Sequence, residues 1–219
     1  MRLKTLLFLL SLFSFLGFIY FSYTVAKEAW QKVDFNLIVK LQDHIPRSFD
    51  GPFSYFSYLG SLEVTLGLIG ILATMALLRK NFLGFLGWLL IMPALFFEVF
   101  GKLVIFHPAP PDFFHRNVLT QALPSFYVHT NFSYPSGHMT RTIFLVVIFA
   151  VLVLISKRAG LNKFIMLLGL GLFAFVMTLS RIYLGEHWLS DVLGGILLGL
   201  SVGLLSSILI VGKNTGKIG

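Results

Sequence analysis

Six long apolar runs set the possibilities for this chain. They are Thr5 to Ala26, Phe53 to Leu78, Phe82 to Phe106, Pro135 to Ile155, Phe164 to Tyr183 and Trp188 to Val211. Roughly 20 apolar residues in a helix cross the ~30 Å hydrocarbon core of a bilayer. In lipid every backbone polar group must pair within the protein, which leaves helices or a closed barrel. None of the runs alternates apolar and polar residues as a barrel strand does. The chain therefore reads as an all-α polytopic membrane protein with six transmembrane helices, forming one domain over residues 1–219. Composition agrees. Only 12% of residues are charged, about half the share in soluble domains. Thr5 to Ala26 is too long for a signal-peptide core and reads as the first span.

Lys27 to Asp50 has a different pattern. Charges recur every few residues, with Trp30, Val33, Phe35, Leu37, Ile38 and Leu41 between them. That spacing predicts an amphipathic helix at the membrane interface after the first span. Ile45-Pro46 should end it, because proline lacks the N–H that continues the ladder.

The net charge is +8, but the basic residues fall singly between apolar runs. No basic cluster interleaved with aromatics appears, which argues against nucleic acid as a partner. The charges sort by side instead. Arg2, Lys4, Arg79, Lys80, Lys157, Arg158, Lys163, Lys213 and Lys217 all fall in the termini and in alternate connections. The remaining connections carry the acids Glu28, Asp34, Asp43, Asp50, Asp112 and Glu186. The positive-inside rule then places both termini in the cytoplasm and the loop from His107 to Tyr134 outside, with a bacterial cell membrane as the expected location. The sequence holds no cysteine, so disulfides and thiolate metal sites are excluded.

Three segments hold polar residues that a bilayer would reject, and this topology gathers all of them on the outer face. They are Lys102, the stretch Tyr134 to His138, and the stretch Ser180 to Asp191. Lys102 and Arg181 are cations, and the arginine fork suits an oxyanion. Ser136 and Gly137 fall where a helix should begin, and free N–H groups there favour phosphate. His187 and Asp191 are four apart, a spacing that shares one helix face. A carboxylate on one imidazole nitrogen fixes the tautomer and frees the other to attack. His138 is a second imidazole, able to protonate a leaving oxygen. The set points to phosphoryl transfer through a phosphohistidine.

These segments resemble the type 2 phosphatidic acid phosphatase superfamily of integral-membrane lipid phosphatases. The family pattern has three blocks: a lysine, six residues and Arg-Pro; then Pro-Ser-Gly-His; then Ser-Arg, five residues, His, three residues and Asp. Pro135-Ser136-Gly137-His138 carries the second block. Ser180-Arg181, His187 and Asp191 carry the third in full. The resemblance implies that His187 is the nucleophile, Asp191 its orienting partner and His138 the general acid. It implies that Lys102, Ser136, Gly137 and Arg181 hold the phosphate, with no metal and no cofactor. The first block departs from the pattern, because Lys102 is followed by Ala109-Pro110 where Arg-Pro belongs. Arg116 in the loop and Arg141, three residues after His138, are the candidate substitute cations, with Arg116 placed ahead.

The expected substrate is a lipid phosphate or diphosphate: a polyprenyl diphosphate, phosphatidylglycerol phosphate or phosphatidic acid. Two alternatives use the same residues. One is a lipid phosphotransferase. The other is a non-catalytic lipid-binding or transport protein on a decayed phosphatase frame. The sequence sets no oligomeric state. Glu98 and Lys102, four apart, suit an intrahelical ion pair. Glu63 falls near the middle of a span, where acids are usually functional or hydrogen-bonded to a neighbouring helix. His44 and His129 read as polar caps. Gly169, Gly171, Gly194, Gly195 and Gly199 suit close helix packing.

Overall fold

The computed structural model describes residues 3–119 and 132–212; His129 lies outside them. Among the described residues, six helical segments are long and apolar enough to cross a membrane. The first is α1, Leu3–Ala26. It is followed by α2, Gln31–His44, which stops at Ile45 in an extended conformation before Pro46, as the residue ahead of a proline must.

Two of the six segments are broken helices. Phe53 to Leu78 is α3, Asp50–Tyr58, then α4, Leu62–Leu78. The Ser61 hydroxyl accepts from Val64 N–H at 3.3 Å and caps α4, so the serine opens a new helix inside the apolar run. Glu63 is thereby exposed in the first turn of α4, not buried against a neighbour in mid-span. An acid there complements the helix dipole. Phe82 to Phe106 is α5, Phe82–Leu89, then α6, Ile91–Val104. Pro93 stands in the first turn of α6, where its missing N–H costs nothing.

The last three helices are α7, Gly137–Ile155; α8, Gly160–Tyr183; and α9, Leu189–Ile210. Helix α9 is the hub and packs against α1, α5 and α7. Small residues set its fit to α7. A Cβ on Gly195 would collide with the Ser136 carbonyl, and one on Gly199 would lie 2.6 Å from the Thr140 carbonyl. Lipid tails offer no hydrophobic drive between helices, so close backbone approach holds this pair together. The same expectation fails for Gly169 and Gly171. A Cβ on either meets nothing within 4 Å, because that part of α8 faces outward.

Hydroxyls fasten other helices to α9. Ser11 donates to the Ser201 carbonyl at 2.7 Å and Ser206 to the Gly87 carbonyl. Helix α2 packs on α8 and α9. Asp34, 2% exposed, accepts from the Ser190 N–H at 2.8 Å and hydroxyl at 2.7 Å. The amphipathic segment is thus tied by a carboxylate to the start of α9.

Candidate active site

The third motif block folds as the turn between α8 and α9. Helix α8 ends at Tyr183, and Gly185 adopts φ +70°, the left-handed conformation that glycine takes without strain. A Cβ there would also strike the Phe114 carbonyl. The turn brings the His187 N–H to 3.3 Å from the Arg181 carbonyl. Trp188 is the extended N-cap of α9 and Asp191 lies in its first turn.

His187 and Asp191 meet differently from the expectation of a shared helix face. His187 stands before the helix. The Asp191 carboxylate reaches back, accepting from Trp188 N–H at 3.0 Å and His187 Nδ1 at 3.2 Å on Oδ2. One carboxylate caps the helix and orients the imidazole, leaving His187 Nε2 clear of that bond. Burial pushes the His187 imidazole below its ordinary value, and the Asp191 hydrogen bond only partly opposes this. A lowered value favours the neutral imidazole near neutral pH, the form whose free nitrogen can act as a nucleophile.

The second block joins the third through the backbone. Ser136 N–H donates to the Asp191 carbonyl at 2.9 Å. Ser136 stands at the N-cap position of α7 and is fully buried, yet its hydroxyl has no partner among the described residues. His138 follows in the first turn of α7. Arg181, Arg141, His187 and Lys102 all act on it electrostatically.

The cations are held by side chains that the motif does not name. Arg181 donates to the Ser57 hydroxyl at 2.6 Å and pairs with Glu186 at 3.3 Å, while its Nε has no hydrogen-bond partner among the described residues. Burial alone would push the Glu186 carboxyl up, but Arg181 and the Asn117 amide hold it below the usual range. Glu98 bridges two cations: Lys102 Nζ at 3.1 Å and Arg141 Nη1 at 2.9 Å. Its carboxylate lies where a Gly137 Cβ would be. Only glycine lets α6 and the start of α7 approach this closely.

The structure treats the two candidate substitutes for the motif arginine differently. Arg141 joins Lys102 on Glu98, beside His138. Arg116 turns its guanidinium to the Gln42 carbonyl at 3.1 Å and the Tyr183 hydroxyl at 3.1 Å, with the Ile45 carbonyl at 3.5 Å. It fastens the end of α2 to α8. Ala109 itself is exposed.

Sequence reasoning missed Ser57, Glu186, Asp34 and a central role for His107. The imidazole of His107 is 6% exposed, with Nδ1 3.0 Å from Asp191 Oδ1. The serines left a faint signal. Ser54, Ser57 and Ser61 fall at helical spacing inside an apolar run, a stripe that lipid would not favour.

Six spanning helices around two imidazoles, a buried carboxylate and clustered cations define a membrane phosphatase of the phosphohistidine type. The chain belongs to the PAP2 superfamily, whose profile matches residues 81–214. That makes it a membrane lipid phosphatase. Among solved structures it is similar to the first transmembrane PAP2-type phosphatidylglycerolphosphate phosphatase from Bacillus subtilis, at 25% identity and a TM-score of 0.70. That match covers 90% of this chain and 94% of the other. It is also similar to LpxE from Aquifex aeolicus, at 23% identity and a TM-score of 0.56, over 80% of this chain and 94% of the other. No curated protein sequence matches it.

Proposed function

We propose that the chain hydrolyses a lipid monophosphate of the phosphatidylglycerol phosphate kind, with His187 as the nucleophile. The observation that carries the residue assignment is the buried His187–Asp191 pair, which holds one imidazole nitrogen and leaves the other for phosphorus. The likeness to the Bacillus subtilis phosphatase supports the substrate class.

In the first step His187 Nε2 attacks phosphorus and the bond to the lipid oxygen breaks. His138 gives its proton to that oxygen, so the alcohol leaves neutral. In the second step water attacks the phosphohistidine, His138 takes a proton from it, and the P–N bond breaks. Lys102, Arg141 and Arg181 face the phosphoryl oxygens together with the Ser136 hydroxyl and the N–H groups at the start of α7. Preorganised donors of this kind stabilise the charge that builds up in transfer. No step in this scheme needs a metal.

The basic connections and both termini lie on the cytoplasmic side in this reading, and the catalytic groups open toward the outer leaflet. A site at the interface suits a head group whose tails stay in the bilayer. The test is phosphate release from phosphatidylglycerol phosphate, a polyprenyl diphosphate and phosphatidic acid in detergent micelles, with and without chelator. Phosphatidylglycerol phosphate should turn over fastest, chelator should have no effect, and His187→Ala should be inactive. An active His187→Ala variant would refute the assignment of the nucleophile.

A further inference from the structure

We propose that His107 is a positioning residue for the nucleophile: it clamps Asp191 opposite His187 and links the pair, through Asp34, to α2. This inference rests on the reading of His187 as nucleophile.

His107 follows α6 in the outer loop. Asp191 divides its oxygens. Oδ2 takes His187 and the Trp188 N–H, and Oδ1 takes His107 Nδ1 at 3.0 Å. The other imidazole nitrogen, Nε2, faces Asp34 Oδ2 at 3.8 Å. Asp34 is held in turn by Ser190. Four side chains thus run in line, Asp34, His107, Asp191 and His187, at 2%, 6%, 0% and 5% exposure. Water does not screen this row, so each proton position depends on its neighbours. The Tyr134 ring stands edge-on to His107, 6.5 Å between centroids.

Two consequences follow for His187. A buried carboxylate bonded through one oxygen would leave the other unsatisfied, at a cost. The His107 donor removes that cost and stops the carboxylate from turning away from His187. The second consequence is electrical. The groups that face His107 are Asp191 from α9, Asp34 from α2 and Glu28 from the turn after α1. Burial alone would push its imidazole down, but these carboxylates outweigh it and hold the value above the ordinary one. A protonated His107 would set a positive charge against Asp191 Oδ1, 3.0 Å away, and so oppose transfer of a proton from His187 to that carboxylate. The proton on His187 Nδ1 then stays there, and Nε2 keeps the lone pair that attacks. The first motif block lacks its arginine at Ala109, yet the same segment still sends an imidazole inward, with Nδ1 3.0 Å from the carboxylate.

Three variants test this, assayed as kcat, KM and pH profile for phosphatidylglycerol phosphate hydrolysis by the full chain in detergent, with His187→Ala as control. His107→Gln moves the amide donor to the Asp34 end and should cut kcat about tenfold while leaving KM within about twofold. His107→Asn keeps a donor near the Nδ1 position and should recover kcat to within about threefold of wild type. Asp34→Asn lowers the proton affinity of His107, so the alkaline fall in kcat should move to lower pH. A His107→Gln enzyme with wild-type kcat overturns the proposal. So does one whose kcat falls only together with its melting temperature while the Asp34→Asn profile stays unmoved. If His107→Gln does not fold, His107→Asn and the Asp34→Asn profile decide in the same way. An inactive His187→Ala beside a wild-type His107→Gln removes the positioning role alone, whereas an active His187→Ala removes the nucleophile itself.

Discussion

Asp191 Oδ2 lies 3.2 Å from His187 Nδ1 while the same oxygen takes the N–H of Trp188 at 3.0 Å. The orienting carboxylate is also the cap of α9. Position and protonation of the His187 imidazole are therefore anchored to the start of the helix that forms the hub of the bundle.

The first prediction concerns acid pH. In the proposed mechanism His187 attacks only when Nε2 is unprotonated. Burial holds its value below the ordinary 6.5, so the nucleophile is lost only as pH falls through that lowered value. The acid limb of kcat/KM should have its midpoint below 6.5, because that limb reports the free enzyme. A midpoint above 7 in a pH–rate series would contradict the environment described for this ring.

The second concerns the substitute for the missing motif arginine. Arg141→Ala should lower kcat/KM by at least about tenfold, since it removes a charged donor from the proposed phosphate site. Arg116→Ala should leave turnover within about threefold and lower the melting temperature, since it frees carbonyls at the end of α2. The opposite ranking in steady-state assays would move the cation site to the loop.

Arg181 leads to a third. Its guanidinium is aimed by the Ser57 hydroxyl at 2.6 Å and by Glu186. Ser57→Ala should raise KM by about tenfold or more, about 1.5–3 kcal/mol for a lost bond to a charged group, with thermal stability nearly unchanged. An unaltered KM would mean that Arg181 needs no guide from α3.

Glycines supply a fourth, with an internal control. A Cβ at Gly199 would lie 2.6 Å from the Thr140 carbonyl and 2.9 Å from Ile143 Cβ. Gly199→Ala should destabilise by about 1–3 kcal/mol through overpacking. Gly169→Ala, in open space, should be neutral. Thermal melts in detergent compare the two directly.

Much of this was legible in the sequence, for identifiable reasons. Lipid forces apolar length on spanning helices, so all six segments stood out. The helix breaks did not, because Leu59 to Ser61 and Leu90 interrupt the ladder without interrupting hydropathy. His187 and Asp191 were visible because their contact is local. His107 and Asp191 stand 84 positions apart, and Asp34 and Ser190 156, so only the folded chain brings them together. Arg116 illustrates the converse. Its place in the loop suggested phosphate, but three oxygens of α2, α8 and the turn after α2 already surround it.

The central claim is that His187 carries the phosphoryl group. The direct measurement is to mix the enzyme with phosphatidylglycerol phosphate, quench rapidly in alkali, where phosphohistidine survives, and locate the modification by peptide mass spectrometry. The account predicts a phosphoryl group on the peptide bearing His187, seen in wild type and absent in His187→Ala. Phosphate on another residue, or full turnover with no phosphoenzyme at any quench time, would contradict it.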